Sequence, residues 1–186
     1  MIPADRFFFV GLMGSGKTTL GRVLARNRGM ECIDSDHEIV ARCGVSIPTI
    51  FEIEGEAGFR LRETAIIDEL TQRQDIVLAT GGGAILDPIN RAHLKARGTV
   101  IYLHGTPHEL YQRTRGDRNR PLLQTEDPLA RMTELYHARH PLYLEVADIT
   151  LDTGRQSVHT LVALLERQLV EITRKGTPPS SPLTAP

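Results

Sequence analysis

The sequence predicts an α/β fold in which a parallel β-sheet carries helices on both faces. Apolar, strand-like runs alternate with longer stretches of helical spacing, and a glycine-rich motif directly follows the first run. The predicted strands cover Phe7–Val10, Glu31–Ile33, Ile76–Ala79, Val100–Leu103 and Ile149–Leu151. Because ligands of such sheets bind at the carboxyl ends of the strands, motifs at these ends are the first candidates for a site.

The length of 186 residues predicts one domain, which we place over residues 1–175. Residues 35–65 hold more helical sequence than one crossover between strands requires, with Ser46 as an N-cap, and could form a small substrate-binding subdomain. Residues 113–124 show no apolar periodicity before Leu122, which predicts a mobile loop. Residues 176–186 hold four of the eleven prolines and are predicted to be a disordered tail.

Composition excludes several classes of protein. A net charge of −1 argues against a partner such as nucleic acid that needs a broad basic surface. No window approaches the about 20 apolar residues of a membrane helix, so no membrane partner is expected. Cys32 and Cys43 fit neither a disulfide framework nor a CxxC pair, which favours a reducing cytoplasm. We expect a monomer.

Residues 11–18, GLMGSGKT, fit the phosphate-loop pattern GxxxxGK[ST] between a predicted strand and a helix that begins near Lys17. Glycines let backbone N–H groups surround phosphates, the lysine supplies a positive charge, and the Thr18 hydroxyl can ligate Mg²⁺. A dinucleotide site is disfavoured because the third glycine of GxGxxG is missing. The sequence also lacks the NKxD segment that reads guanine in regulatory GTPases, which favours adenine as the base. The open alternative is a glycine-rich turn without a ligand.

The second predicted strand ends in Asp34 and Asp36. Two acids spaced by two on an extended segment point the same way, so we expect both beside the γ-phosphate. Asp34 would face Mg²⁺ through water, and Asp36 would accept a proton from the acceptor hydroxyl. The alternative is a pair that only caps the following helix.

Two further features indicate where the phosphate acceptor, the molecule that receives the phosphoryl group, would bind. Gly81, Gly82 and Gly83 follow the third predicted strand and allow a close approach to a ligand, unless they form only a tight turn. Arg60 lies one helical turn before Glu63, which can orient its guanidinium, unless the two form only a solvated surface pair.

These motifs together resemble the shikimate kinase family of the nucleoside monophosphate kinase-like P-loop group. The matching segments, in order, are GLMGSGKTTLGR at 11–22, DSD at 34–36, FRxxE at 59–63, GGG at 81–83, RPLL at 120–123 and RHPLY at 139–143. The resemblance covers roughly residues 7–172. It implies a three-layer P-loop NTPase fold with a five-stranded parallel sheet, a shikimate-binding subdomain at 35–65 and a lid at 113–124.

The resemblance also implies the reaction and its residues. ATP and shikimate would give ADP and 3-phosphoshikimate on the route to aromatic amino acids, with Mg²⁺ as cofactor. Lys17, Asp36 and Arg120 would be catalytic, and Thr18 and Asp34, the latter through water, would hold the metal. Shikimate would be bound by Asp36, Arg60, Gly81, Gly82, Gly83 and Arg139. The nucleotide would be bound by Gly14, Ser15, Gly16, Lys17, Thr18, Thr19, Arg113, Arg120, Arg155 and Gln156.

Two alternatives remain at this level. Another small-metabolite kinase, such as a gluconate kinase, would share the phosphate loop but would not require two arginines flanking Asp36. A regulatory or nucleic-acid-associated protein could bind ATP without phosphorylating a metabolite, with the basic run at 113–120 as a nucleic-acid arm. The near-neutral charge and the acids of the second site count against the latter.

Overall fold

The computed structural model describes residues 6–116, 121–154 and 156–176. In these residues, five parallel strands form one sheet in the order β2-β3-β1-β4-β5. The strands are β1 (Arg6–Val10), β2 (Glu31–Asp34), β3 (Ile76–Ala79), β4 (Thr99–His104) and β5 (Ile149–Asp152). The predicted strands are confirmed to within one residue at each end, and the five-stranded parallel sheet is confirmed with them.

Helices connect the strands in the described part of the chain. They are α1 (Lys17–Arg28), α2 (Ser35–Cys43), α3 (Ile47–Leu70), α4 (Pro88–Arg97), α5 (Pro107–Thr114), α6 (Pro128–Val146) and α7 (Val158–Gly176). At the N-termini of α3, α4, α5 and α6 a capping side chain is followed within two residues by a proline, which favours helix initiation. The predicted cap Ser46 is confirmed, because its side chain accepts a hydrogen bond from the Thr49 N–H.

The sheet is covered on both faces, which explains why its strands are continuously apolar. On one face, Phe8 and Val10 pack in a core that includes residues of α2 to α6. On the other face, Phe7 and Phe9 pack against α1 and α7. The predicted three-layer α/β P-loop fold is therefore confirmed.

The strand order positions the loops that carry the predicted motifs. β3 lies between β2 and β1, with Ala79 in register with both Asp34 and Phe9. The carboxyl ends of three neighbouring strands therefore bring together three segments. They are the end of β2, the turn formed by Gly81, Gly82 and Gly83 after β3, which we call the glycine turn, and the phosphate loop after β1. A short 3-10 helix, Ala84–Leu86, follows the glycine turn, and a second one, Pro121–Leu123, lies before α6.

The predicted subdomain at 35–65 covers α2 and most of α3. Gly55 interrupts α3 with φ 70° and ψ 179°, a backbone conformation in which glycine has no Cβ to strain. Of the predicted lid, Arg113 and Thr114 belong to α5, and residues 117–120 lie outside the described residues. Residues 177–186 of the predicted tail also lie outside them, so the domain boundaries stay predictions. No helix in the described ranges is both long and apolar enough to span a membrane.

Candidate active site

A cavity of about 920 Å³ opens at the carboxyl edge of the sheet. Every predicted site residue that the structure describes lines it. These are Gly14, Ser15, Gly16, Lys17, Thr18, Thr19, Asp34, Asp36, Arg60, Gly81, Gly82, Gly83, Arg113, Arg139 and Gln156. The remaining two, Arg120 and Arg155, lie outside the described residues.

The phosphate loop is held by its own backbone. Gly11, Gly14 and Gly16 have φ values of 144°, 79° and 93°, which favour glycine over any residue with a side chain. The Lys17 ammonium donates hydrogen bonds to the Gly11 and Leu12 carbonyls at 2.8 and 2.9 Å. Because α1 begins at Lys17 without a side-chain cap, its first N–H groups are suited to an anion.

A hydroxyl–carboxylate pair lies beside the loop. The Thr18 hydroxyl donates to Asp34 Oδ2 at 2.5 Å, and Asp34 Oδ1 accepts from the Asp36 and His37 N–H groups at 3.0 and 3.3 Å. Asp34 therefore does cap α2, the alternative left open above, but it does so through Oδ1, and its Oδ2 still faces Thr18. The Thr18 hydroxyl oxygen and Asp34 Oδ2 suit a hard cation such as Mg²⁺.

The prediction that Asp34 and Asp36 share an extended segment is wrong. β2 ends at Asp34 and α2 begins at Ser35, so Asp36 belongs to the first turn of a helix. The physical reason is the cap itself, since the Asp34 side chain satisfies the first N–H groups of α2. Asp36 nevertheless lines the cavity with Asp34.

Two carboxylates converge on Gly81. A Cβ built on this glycine would lie 2.5 Å from Glu63 Oε1 and 2.6 Å from Asp36 Oδ1, so a side chain has no room there. The Gly81 N–H donates to Ser35 Oγ at 2.9 Å and fixes the start of the turn. Glu63 is 1% exposed, and burial raises its pKa to about 7 against the opposing effect of Arg60.

Two guanidinium groups face the same turn. Arg60 forms ion pairs with Glu63 at 2.6 Å and Glu56 at 2.9 Å, and a Cβ on Gly83 would collide with its guanidinium. Because Glu63 is buried, the alternative of a solvated surface pair is wrong. Arg139 is 3% exposed, and burial lowers its pKa. Among the described residues it has no ion-pair partner, so its charge suits an anionic ligand.

An apolar wall completes the acceptor side. The rings of Phe51 and Phe59 lie 5.0 Å apart, and the Arg60 guanidinium lies over the Phe59 ring at 5.2 Å. Pro48 and Leu122 also line the cavity. Sequence reasoning missed Phe51 and Phe59 as lining residues because apolar side chains at helical spacing ordinarily indicate core; for Phe59, its position next to Arg60 was the available signal.

Arg113 bridges two loops at the edge of the cavity. Its guanidinium donates to the Gly14 carbonyl at 3.3 Å, to Thr153 Oγ1 at 3.0 Å and to the Gly154 carbonyl at 2.5 Å. The phosphate loop is thereby linked to the loop after β5. Gln156 in that loop donates to the Asp152 carbonyl at 3.4 Å.

This combination of fold and site defines a small P-loop kinase, with a phosphate loop and the buried Arg139 in one cavity. Residues 13–170 match the family model described as shikimate kinase. The shikimate kinase of Thiobacillus denitrificans is 60% identical over 91% of this chain and 92% of that protein. The shikimate kinase of Ralstonia nicotianae is 59% identical over 97% and 94%. The chain belongs to the shikimate kinase family and is an enzyme.

Solved structures agree with this assignment. The shikimate kinase of Acinetobacter baumannii, solved in complex with shikimate, is 47% identical, with a TM-score of 0.88 over 93% of this chain and 96% of that one. A gluconokinase from Sinorhizobium meliloti is 16% identical with a TM-score of 0.56 over 95% and 100%, a likeness that shows the fold alone.

Proposed function

We propose that this chain transfers the γ-phosphoryl group of ATP to the 3-hydroxyl of shikimate, giving ADP and 3-phosphoshikimate. The observation that carries the proposal is the convergence of Arg60, Arg139 and the Asp36 carboxylate on the glycine turn, whose Gly82 lies beside Gly11 and Met13 of the phosphate loop in the same cavity. An acceptor that bears both a carboxylate and a hydroxyl suits this arrangement. The relative from Acinetobacter baumannii, whose structure contains shikimate, supports it.

The acceptor would be held through its carboxylate. A guanidinium binds a carboxylate with two parallel hydrogen bonds, and such charge-assisted bonds are roughly twice as strong as neutral ones. Arg139 has no competing ion pair within the described residues, whereas Arg60 is already oriented by Glu63. The 3-hydroxyl would face Asp36, which accepts its proton. Phosphoryl transfer through a loose transition state needs mainly positioning and charge neutralisation, so a weak base suffices.

The nucleotide would occupy the opposite side. Its phosphates would lie on the loop from Gly14 to Thr19, with the base toward Arg113, Arg155 and Gln156. The Thr18 hydroxyl and, through water, Asp34 would hold Mg²⁺, and their oxygens fit that cation. When bound, Mg²⁺ supplies positive charge that screens the phosphate oxygens.

Lys17 and Arg120 would neutralise the charge that develops during transfer. Arg120 belongs to the predicted lid at 113–124, whose closure over the nucleotide would exclude water and limit hydrolysis of ATP. We further propose that the enzyme works as a cytoplasmic monomer on small molecules, with no nucleic-acid or membrane partner.

The test is a coupled assay of ADP release by purified protein with MgATP. Shikimate should elicit ADP release, and the product should carry phosphate on the 3-hydroxyl by ³¹P NMR. Gluconate, the acceptor of the alternative kinase, serves as the parallel substrate. Release that depends on gluconate and not on shikimate would overturn the proposal.

A further inference from the structure

The proposed function leaves one buried polar group of the acceptor side without a role. Tyr143 is 1% exposed and follows Arg139 by four residues on α6, so both side chains lie on the same face of that helix. The Tyr143 hydroxyl donates a hydrogen bond of 2.6 Å to the carbonyl of Gly82. A residue of α6 is thus attached to the middle of the glycine turn.

The same hydroxyl also faces Arg139. Burial lowers the pKa of Arg139, and Tyr143 is the foremost of the groups that raise it again. A Cβ built on Gly82 would lie 3.7 Å from Arg139 Nη1, so guanidinium, hydroxyl and turn are neighbours. No carboxylate of the described residues forms an ion pair with Arg139, so the Tyr143 hydroxyl is a neutral polar neighbour beside an otherwise unpaired guanidinium.

The Tyr143 ring itself is held in place. It stacks on Tyr102 with ring centroids 4.9 Å apart and an angle of 23°. The Tyr102 hydroxyl is hydrogen-bonded to His140 Nδ1 at 2.9 Å. Since the stack restricts the ring, the position of the hydroxyl is set by the core and not by the ligand.

We propose that Tyr143 is a positioning residue for the acceptor site. Its hydroxyl fixes the position of the Arg139 guanidinium relative to the glycine turn at Gly82. This inference rests on the proposed function, because it assigns Arg139 to the acceptor carboxylate. Tyr143 does not touch the reacting atoms and acts only through its two neighbours. Its loss should therefore weaken acceptor binding and leave nucleotide binding unchanged.

The test is Tyr143→Phe, which keeps the ring and its stack and removes the hydroxyl. The shikimate KM should rise about tenfold, which corresponds to about 1.4 kcal/mol. The KM for MgATP should stay within about twofold, a change below about 0.5 kcal/mol. A folding defect would reduce kcat by reducing the active fraction, whereas KM does not depend on the enzyme concentration, so the KM split separates the two.

Tyr102→Phe is the matched control, since it removes another hydroxyl of the same stack that contacts neither Gly82 nor Arg139. Its shikimate KM should stay near that of the wild type. In an Arg139→Ala background, Tyr143→Phe should add much less than its own tenfold effect, because neighbours that act together are not additive.

Three results would overturn the inference: an unchanged shikimate KM in Tyr143→Phe, an equal rise in Tyr102→Phe, or full additivity with Arg139→Ala. Each of them requires a wild type that is active on shikimate. An inactive wild type would instead overturn the proposed function, so the two failures are distinguishable.

Discussion

The two sides of the cavity are built in different ways. The phosphate side comes from one continuous segment, residues 11–18, in which three glycines have positive φ and Lys17 donates to the carbonyls of Gly11 and Leu12. The acceptor side is assembled from distant segments of the chain: Asp36 on α2, Arg60 and Glu63 on α3, the glycine turn after β3, and Arg139 on α6.

The electrostatics of the two sides differ as well. On the acceptor side, burial raises the pKa of Glu63 to about 7 and lowers that of Arg139, so both charged forms are disfavoured in the ligand-free protein. On the phosphate side, Lys17 already bonds to carbonyls of its own loop. We therefore expect changes on the phosphate side to act on kcat and changes on the acceptor side to act on the KM of the acceptor.

The largest effect is expected from Lys17→Ala. Removing a cation that stabilises charge in the transition state should lower kcat by at least about 100-fold, or about 2.7 kcal/mol of barrier. The shikimate KM should change much less, because the lysine is assigned to the phosphates and not to the acceptor carboxylate. Steady-state kinetics with both substrates varied would measure this contrast.

Lys95→Ala provides the control for Lys17→Ala, because Lys95 is exposed near the end of α4 and does not line the cavity. Its kcat should equal that of the wild type. A near-normal kcat in Lys17→Ala would remove the lysine from the proposed catalytic role.

The continuous side was also the more predictable one. The phosphate loop needs only local spacing and a strand before it, so the sequence predicts the start of α1 at Lys17 correctly. The strands were likewise predictable, because a sheet buried on both faces requires continuous apolar runs of that length.

On the acceptor side, the predicted residues do line the cavity, but their helix positions and pKa shifts were not predictable. Spacing did not reveal that Asp34 caps α2 and so moves Asp36 onto a helix. The pKa of Glu63 depends on burial by residues far away in the chain, and the Tyr143 hydroxyl reaches a turn 61 residues earlier. Such properties follow from tertiary contacts and have no local pattern.

A second, smaller effect is expected from Arg60→Ala on the acceptor side. A charge-assisted hydrogen bond contributes about 1.5–3 kcal/mol, so the shikimate KM should rise by about 10- to 150-fold. The KM for MgATP should not change, since the Arg60 guanidinium pairs with Glu63 and Glu56 and is assigned to the acceptor carboxylate. Titration of each substrate against a saturating concentration of the other measures both values.

Arg62→Ala is the matched control for Arg60→Ala. Arg62 lies on the same helix, but it is paired with Glu54 at 2.7 Å and its side chain is 44% exposed. Its loss should leave the shikimate KM near the wild-type value. Equal effects of the two variants would show that the response comes from α3 as a whole and not from the guanidinium of Arg60.

The smallest expected effect is a dependence of the shikimate KM on pH. Glu63 has a raised pKa of about 7, so its carboxyl is mostly neutral at pH 6 and mostly charged at pH 8. The charged form places a second negative group beside Arg60, where it offsets the attraction for the acceptor carboxylate. The KM should therefore rise with pH, by about threefold to tenfold between pH 6 and 8, or about 0.6–1.4 kcal/mol.

Glu63→Gln separates this explanation from other titrations in the cavity. Glutamine keeps the shape and an oxygen acceptor for Arg60 but cannot ionise. The variant should therefore lose the rise in shikimate KM between pH 6 and 8. The KM for MgATP should keep its own pH profile, because the nucleotide phosphates face Lys17 and not Glu63. A rise of the same size in Glu63→Gln would assign the titration to a different group. The charge of Glu63 would then not control acceptor binding between pH 6 and 8, and in this respect the acceptor side would resemble the phosphate side.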